Sequence, residues 1–217
     1  MKPSGRPRIR EMVPVIGAPL ALAVLEMFHP HPHDVFELDL RIWMVVHYLQ
    51  IPLMPLAALA TIVLVRGLPG FAASICRVGM FVLAVTYTAF DTAAGIVTGV
   101  LVKAARATGT PEAWRAPVMA VWTDPIIGGA PGTVPFLAVL GAVAWSLGTL
   151  AAAVAVRRAG YSWTPVLLLT VSALGLVVFR THAWPGGPVT IGSFTAAAAW
   201  LQWEQPARAE PRADGAA

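Results

Sequence analysis

Five ionisable residues of this sequence lie within or at the ends of long apolar stretches, where a charge is costly. They are Glu26, His29, His47, Asp91 and His182. An ionised Asp, Lys or Arg at the centre of a membrane helix costs at least ~2.5–3.5 kcal/mol, so each such residue calls for an explanation. Imidazole and carboxylate groups together are ligands for zinc, iron or copper, and they are equally the groups of a proton relay. The sequence therefore predicts a site for a metal or for protons, without choosing between them.

Glu26 and His29 are three residues apart, so they project from one face of a helix. The Glu-x-x-His spacing is used by di-iron helical bundles, but those sites need further carboxylates from other helices. Only one such pair is present here, so the spacing alone does not identify a site.

Asp91 lies near the middle of the apolar segment 78–102, with Tyr87, Gly95 and Gly99 at intervals of four residues from it. This spacing places the carboxylate on the helix face that the glycines turn toward a neighbouring helix. Two interpretations stay open. Asp91 is either a protonated group that holds helices together, or a ligand, acid or coupling carboxylate.

His47 and His182 each have a structural interpretation beside the functional one. His47 lies about two turns into the segment 41–65, where a neutral histidine can simply hydrogen-bond to a neighbour. His182 follows the segment 164–181, and a histidine at the level of the lipid headgroups is often simply hydrated. Asp91 and His47 are the first choices for ligands or for an acid and base pair.

The elements that position these residues are predicted to be membrane-spanning helices. A hydrocarbon core ~30 Å thick needs roughly 20 apolar helical residues, and in lipid only helices or closed barrels satisfy the backbone. The sequence predicts an all-α bundle of five such helices, at residues 12–29, 41–65, 78–102, 134–156 and 164–181.

Two further segments are predicted at the membrane interface. Residues 111–123 are predicted to form an amphipathic helix, and residues 189–203 an interfacial or re-entrant helix. Both contain tryptophan, which is favoured at that depth. Together these elements form one helical domain over residues 1–205. The remaining segment, 206–217, is rich in proline, alanine and charge, which predicts disorder.

The composition agrees with a membrane protein. The chain is 57% hydrophobic and 12% charged, whereas soluble domains have ~45–50% and ~25%. The net charge of +4 does not indicate a nucleic-acid partner, because the basic residues cluster at helix ends. The single cysteine, Cys76, excludes an intrachain disulfide and a cysteine-based zinc site.

The distribution of basic residues predicts the orientation in a plasma or bacterial inner membrane. Basic residues precede the first helix and lie in the loops at 66–77 and 157–158. The positive-inside rule therefore places the N-terminus in the cytoplasm, and five spans place the C-terminus outside. In this orientation all five ionisable residues lie between mid-membrane and the outer surface.

The segment from His29 to Asp34 alternates histidine with proline. Prolines hold such a segment extended, which turns successive rings in different directions. It is interpreted as a polar turn, with a low-affinity metal-collecting site as the alternative.

The sequence identifies no reaction. The leading hypothesis is a membrane protein whose outward-facing pocket binds a transition metal (zinc, iron or copper) or relays protons. The alternatives are a non-catalytic membrane subunit or assembly factor and a small proton-coupled transporter. The expected partners are the lipid bilayer and other membrane subunits or a second copy of the chain.

Overall fold

The computed structural model describes residues 13–204, with side chains from residue 15, and this part of the chain is helical without strands. The predicted disordered tail and the basic residues before position 13 lie outside the described residues. The α-helices of the described range are α1 (Ala18–Glu26), α2 (Leu40–Leu64), α3 (Phe71–Phe90), α4 (Thr98–Ala107), α5 (Arg115–Trp122), α6 (Phe136–Arg158), α7 (Trp163–Phe179) and α8 (Gly186–Trp203).

Short π-helical and 3-10 segments extend or connect these helices. A π-helical turn at Val13–Gly17 leads into α1, and a second π-helical segment at Asp91–Val97 joins α3 to α4. The helix from Phe71 to Ala107 is therefore continuous and contains the predicted span 78–102 within its 37 residues.

Three helices of the described range are long and apolar enough to cross a membrane. They are Leu40–Leu64, Phe71–Ala107 and Phe136–Arg158. The other two predicted spans correspond to shorter apolar helices, Val15–Glu26 and Trp163–Phe179. The all-helical class is thus confirmed, while the count of five spans stays a prediction.

The bundle is held together by close packing of small residues around a few large side chains. Trp145 and Phe194 stack edge to face in the core, with ring centres 5.6 Å apart. A side chain at Gly79 would meet the backbone of Ala144 and Gly148, so α3 and α6 approach closely there. Gly95 and Gly99 face α2, as their spacing predicted.

Helix α8 contains the predicted interfacial segment 189–203 and packs against α7 and α1. Its side chains Phe194, Ala197 and Ala198 are fully buried. At its C-terminal end, Glu204 accepts hydrogen bonds from the backbone N–H and the hydroxyl of Ser162, at 2.6 and 2.8 Å. Helices α7 and α8 therefore run antiparallel along their whole length.

The predicted amphipathic segment 111–123 forms a 3-10 turn, Pro111–Trp114, followed by α5. Val118 and Trp122 of this segment are buried in a small second core, together with Trp43 of α2. The guanidinium of Arg106 holds the connection before α2 by donating to the carbonyls of Phe36 and Leu38, at 2.6 and 2.7 Å. This second core forms a cap over the end of the bundle where α1 finishes and α2 begins.

Candidate metal centre

Three of the five predicted site residues converge at one end of the bundle. Glu26 is the last residue of α1, His29 follows it by three residues, and His182 lies in the turn between α7 and α8. One potential ligand atom from each residue lies within 4.8 Å of the other two. Glu26 is fully buried, and the two histidines are half-buried.

The closest of these contacts joins the two imidazole rings. Nε2 of His182 lies 3.2 Å from Nε2 of His29. Two imidazole nitrogens bound at about 2.0–2.1 Å to one tetrahedral zinc ion would be separated by about 3.4 Å. Without an ion, the contact requires a proton on Nε2 of His182, because the tautomer of His29 leaves its Nε2 unprotonated.

That tautomer follows from a hydrogen bond to the main chain. Nδ1 of His29 lies 3.0 Å from the carbonyl oxygen of Pro30. A carbonyl oxygen only accepts, so Nδ1 carries the proton and Nε2 keeps its lone pair. Histidines that bind metals are commonly oriented by such a bond from the second ring nitrogen to a backbone carbonyl.

The carboxyl group of Glu26 is oriented in a similar way by α2. The side-chain amide of Gln50 donates to Oε1 of Glu26 at 2.7 Å. The other oxygen, Oε2, is buried and has no hydrogen-bond partner among the described residues. Buried polar atoms are rarely left unpartnered, so this oxygen is available to a ligand.

His47 lies beside the three converging residues. Its ring centre is 5.0 Å from that of His29, and its Nδ1 lies 2.8 Å from the carbonyl oxygen of Trp43. This bond again leaves Nε2 unprotonated. The ring packs directly on Gly95, where any side chain would overlap it. His47 is therefore a third imidazole at the edge of the site, outside the group of three.

Asp91, like His47, is a predicted site residue that the structure does not bring into the group, although these two were the first choices for ligands. It is buried, and neither of its carboxyl oxygens has a hydrogen-bond partner within the described range. It begins the π-helical segment Asp91–Val97, one helical turn after Tyr87. π-Helical segments inside α-helices occur frequently at functional sites.

A small cavity of about 10 Å³ is lined by Glu26 and His182, two of the three converging residues. Its polar lining comes from Glu26, Tyr87 and His182, and apolar side chains such as Met54 and Trp145 form the rest. This volume lies near the minimum for holding one water molecule.

Two glycines at the start of α8 allow this arrangement. A side chain at Gly187 would overlap the carbonyl of His182 and lie 2.9 Å from Cβ of Glu26. A side chain at Gly186 would overlap the carbonyl of Thr181. Arg180 ends α7 with a φ of 54°, a left-handed conformation that turns the chain back toward α8.

The opening of the site toward the cap is lined by the His-Pro segment. The ring of His31 is exposed, and its centre lies 5.9 Å from that of His29. Farther along, Asp34 accepts a hydrogen bond from the backbone N–H of Phe36, at 2.9 Å, and this holds the pKa of its carboxyl below the usual range. The guanidinium of Arg115, which lies 3.4 Å from Oδ2 of Asp34, also lowers the pKa of this carboxyl.

Sequence reasoning did not assign a site role to Gln50 or Gly187. Gln50 was detectable as an amide three residues after His47 in an otherwise apolar helix. Gly187 carried no signal, because a Gly-Gly pair next to proline is typical of any turn.

Comparisons of the chain with protein-family models, with curated proteins and with solved structures find no match.

The bond from Gln50 generates a prediction about stability. We expect Gln50→Leu to lower the free energy of unfolding by about 1–2 kcal/mol, because the buried carboxyl of Glu26 loses its only described donor. Unfolding in mixed detergent micelles, followed by circular dichroism, measures this change. The control is Gln202→Leu, at the far end of α8, where we expect a change within about 0.5 kcal/mol. Equal losses in the two variants would contradict the assigned role of Gln50.

Proposed function

We propose that this chain is an integral membrane protein that binds one divalent transition-metal ion at Glu26, His29 and His182. The observation that carries the proposal is the convergence of one potential ligand atom from each of these residues within 4.8 Å. In addition, one carboxyl oxygen of Glu26 has no hydrogen-bond partner among the described residues. Two histidines and one carboxylate are a ligand set used for zinc and for non-haem iron, and copper also binds imidazole.

The orienting hydrogen bonds support a metal more strongly than a packing role. His29 is anchored through Nδ1 to a backbone carbonyl, and Glu26 is held by Gln50, so each presents a free atom toward the others. Partners of this kind are a regular feature of metal sites. Three protein ligands leave a fourth position for water, for a substrate or for His47 after a small shift.

Metal analysis of purified protein tests this proposal. After chelator treatment and reloading with Zn²⁺, Fe²⁺ or Cu²⁺, we expect about one ion per chain in the wild type. We expect its loss in Glu26→Gln, His29→Ala and His182→Ala, because each removes one ligand. The matched controls are Glu37→Gln and His33→Ala, which change exposed residues of the same types and should retain the ion. Elemental analysis by mass spectrometry gives the stoichiometry.

A wild type that stays free of metal would contradict the proposal. If the three ligand variants were then only less stable, the same side chains would be interhelical packing groups, as in a non-catalytic subunit or assembly factor.

A second candidate function, proton transfer across part of the bilayer, is favoured by one observation. Asp91 is buried with both carboxyl oxygens unpartnered among the described residues. It lies one helical turn after Tyr87, which lines a cavity together with Glu26 and His182. A buried carboxyl inside a membrane helix is a common element of proton pathways. In this interpretation Asp91 exchanges protons with the groups of the metal site.

Proton flux into liposomes separates this candidate from the metal site. We expect Asp91→Asn to abolish flux driven by a metal gradient while it leaves the metal content at about one ion per chain. A pH-sensitive dye inside the liposomes reports the flux. The control is Thr92→Val, at the adjacent exposed position. Unchanged flux in Asp91→Asn, or no flux in the wild type, would contradict proton transfer through Asp91.

The surface of the bundle supports a membrane location. Large apolar side chains point outward along several helices, for example Phe81 at 67% exposure and Val178 at 66%. A soluble protein rarely exposes extended apolar surface, whereas lipid tails are a favourable solvent for it.

The number of spans depends on α8. In the five-span arrangement the C-terminal end of α8 lies on the same side of the membrane as the metal site. The antiparallel packing of α8 against α7 favours a sixth crossing, which would place that end on the opposite side. Its 18 residues extend about 27 Å, and it is rich in the small residues that let membrane helices approach.

The distribution of basic residues also favours six spans. The N-terminal segment and the regions where α2 meets α3 and where α6 meets α7, including the adjoining helix ends, hold eight of the 15 basic residues. If α8 crosses, Arg208 and Arg212 join that side, which raises its share to ten. The N-terminus and the C-terminus would then both be cytoplasmic, with the metal site facing outward.

Thiol labelling of intact cells tests the sixth crossing. Cys76 is fully buried, so Cys76→Ser provides a background without a native thiol. In that background we expect His33→Cys to react with a membrane-impermeant maleimide in intact cells. We expect Ala213→Cys to react only after the cells are permeabilised. Labelling of Ala213→Cys in intact cells would restore the five-span arrangement.

A further inference from the structure

Three histidines form a series that leads from the surface to the proposed metal site. The side chain of His31 is exposed, and those of His29 and His182 are half-buried. The ring centre of His29 lies 5.9 Å from that of His31 and 4.7 Å from that of His182. The fully buried carboxyl of Glu26 lies at the inner end of the series.

The spacing of these rings lets neighbouring members hold the same ion. An ion about 2.1 Å from one nitrogen on each ring is compatible with ring centres up to roughly 6 Å apart. Both pairs in the series fall within this limit. The ring spacing therefore allows an ion that moves inward along the series to keep an imidazole ligand at each step.

We infer that His31 is the entry ligand of the site, which captures a divalent transition-metal ion from solution and passes it to His29. The inference rests on the proposed metal site at Glu26, His29 and His182. In the transfer, a bond forms between the metal and Nε2 of His29 before the bond to His31 breaks. The oxidation state of the metal does not change, and water from its hydration shell is released to solvent.

Other groups near the opening are less suited to this role. The carboxylate of Asp34 is already engaged by a backbone amide and by Arg115. His33 is exposed, but within the described part of the chain no ring contact joins it to His29. On another side of His29, the buried ring of Trp43 lies 5.8 Å away and closes the approach from α2.

An entry ligand acts on rates and leaves the resting site unchanged. His31 holds no place among the three converging ligands, so its removal does not alter the bound state. The imidazole of His31 lowers the free-energy barrier that the ion crosses when it enters and when it leaves the site. Association and dissociation should therefore slow in proportion when His31 is replaced.

Stopped-flow mixing with Co²⁺ tests this inference on the full chain in detergent. The absorption of Co²⁺ reports its binding directly. We expect His31→Ala to slow association and dissociation by about tenfold each, with the equilibrium affinity changed by less than about threefold. The matched control is His33→Ala, which removes an exposed imidazole from the same segment and should leave both rates unchanged. Thermal unfolding checks that both variants are folded.

The outcomes separate the two proposals. Failure of the wild type to bind Co²⁺ would overturn the metal site itself, and the inference with it. Binding with unchanged rates in His31→Ala would overturn the entry role alone. A loss of affinity with an unchanged association rate would make His31 a ligand of the resting site, which also overturns the inference. Equal slowing in His33→Ala would show that the effect belongs to the segment as a whole and not to His31, which also overturns the entry role.

Discussion

The arrangement of this bundle depends on the burial of one carboxyl group, that of Glu26, among apolar helices. An isolated charge in such surroundings is too costly to persist, so the group must be neutral, hydrogen-bonded or bound to a cation. Gln50 satisfies one of its oxygens, and the other remains unpartnered among the described residues. His29 and His182 lie close to this carboxyl group, so a cation bound by the two imidazoles and Glu26 would neutralise the buried carboxylate.

The backbone around this carboxyl is shaped by residues that have no side chain. Gly187 brings the start of α8 against Glu26 and His182, and Gly95 lets the ring of His47 lie flat against the helix that carries Asp91. These positions explain how several helices converge on a small site with an adjoining cavity of only about 10 Å³. The cap that contains α5 covers the same end of the bundle and leaves the exposed ring of His31 at the opening.

The buried carboxyls of Glu26 and Asp91 have different surroundings and suit different roles. Glu26 is oriented by an amide and faces two imidazole nitrogens, which is the environment of a ligand. Asp91 has no partner among the described residues and begins a π-helical segment, where the regular hydrogen bonding of the helix is interrupted. A metal site and a proton pathway are compatible in one molecule, because metal binding to such groups is coupled to their protonation.

The amino-acid sequence by itself determined the helical class and the apolar segments, and it singled out Glu26, His29, His47, Asp91 and His182. These follow from composition along the chain, since an ionisable residue in an apolar segment is visible without coordinates. Only the tertiary structure decided that Glu26, His29 and His182 meet, that His47 lies at their edge, and that Asp91 stands apart. Convergence depends on how each helix is rotated about its axis and on where glycines allow close approach. Neither can be predicted from the hydropathy of the sequence. The packing of α8 into the core was not predicted from the sequence for a related reason. Its segment 189–203 is too short to suggest a span, yet Phe194 packs in the core and Glu204 reaches the start of α7.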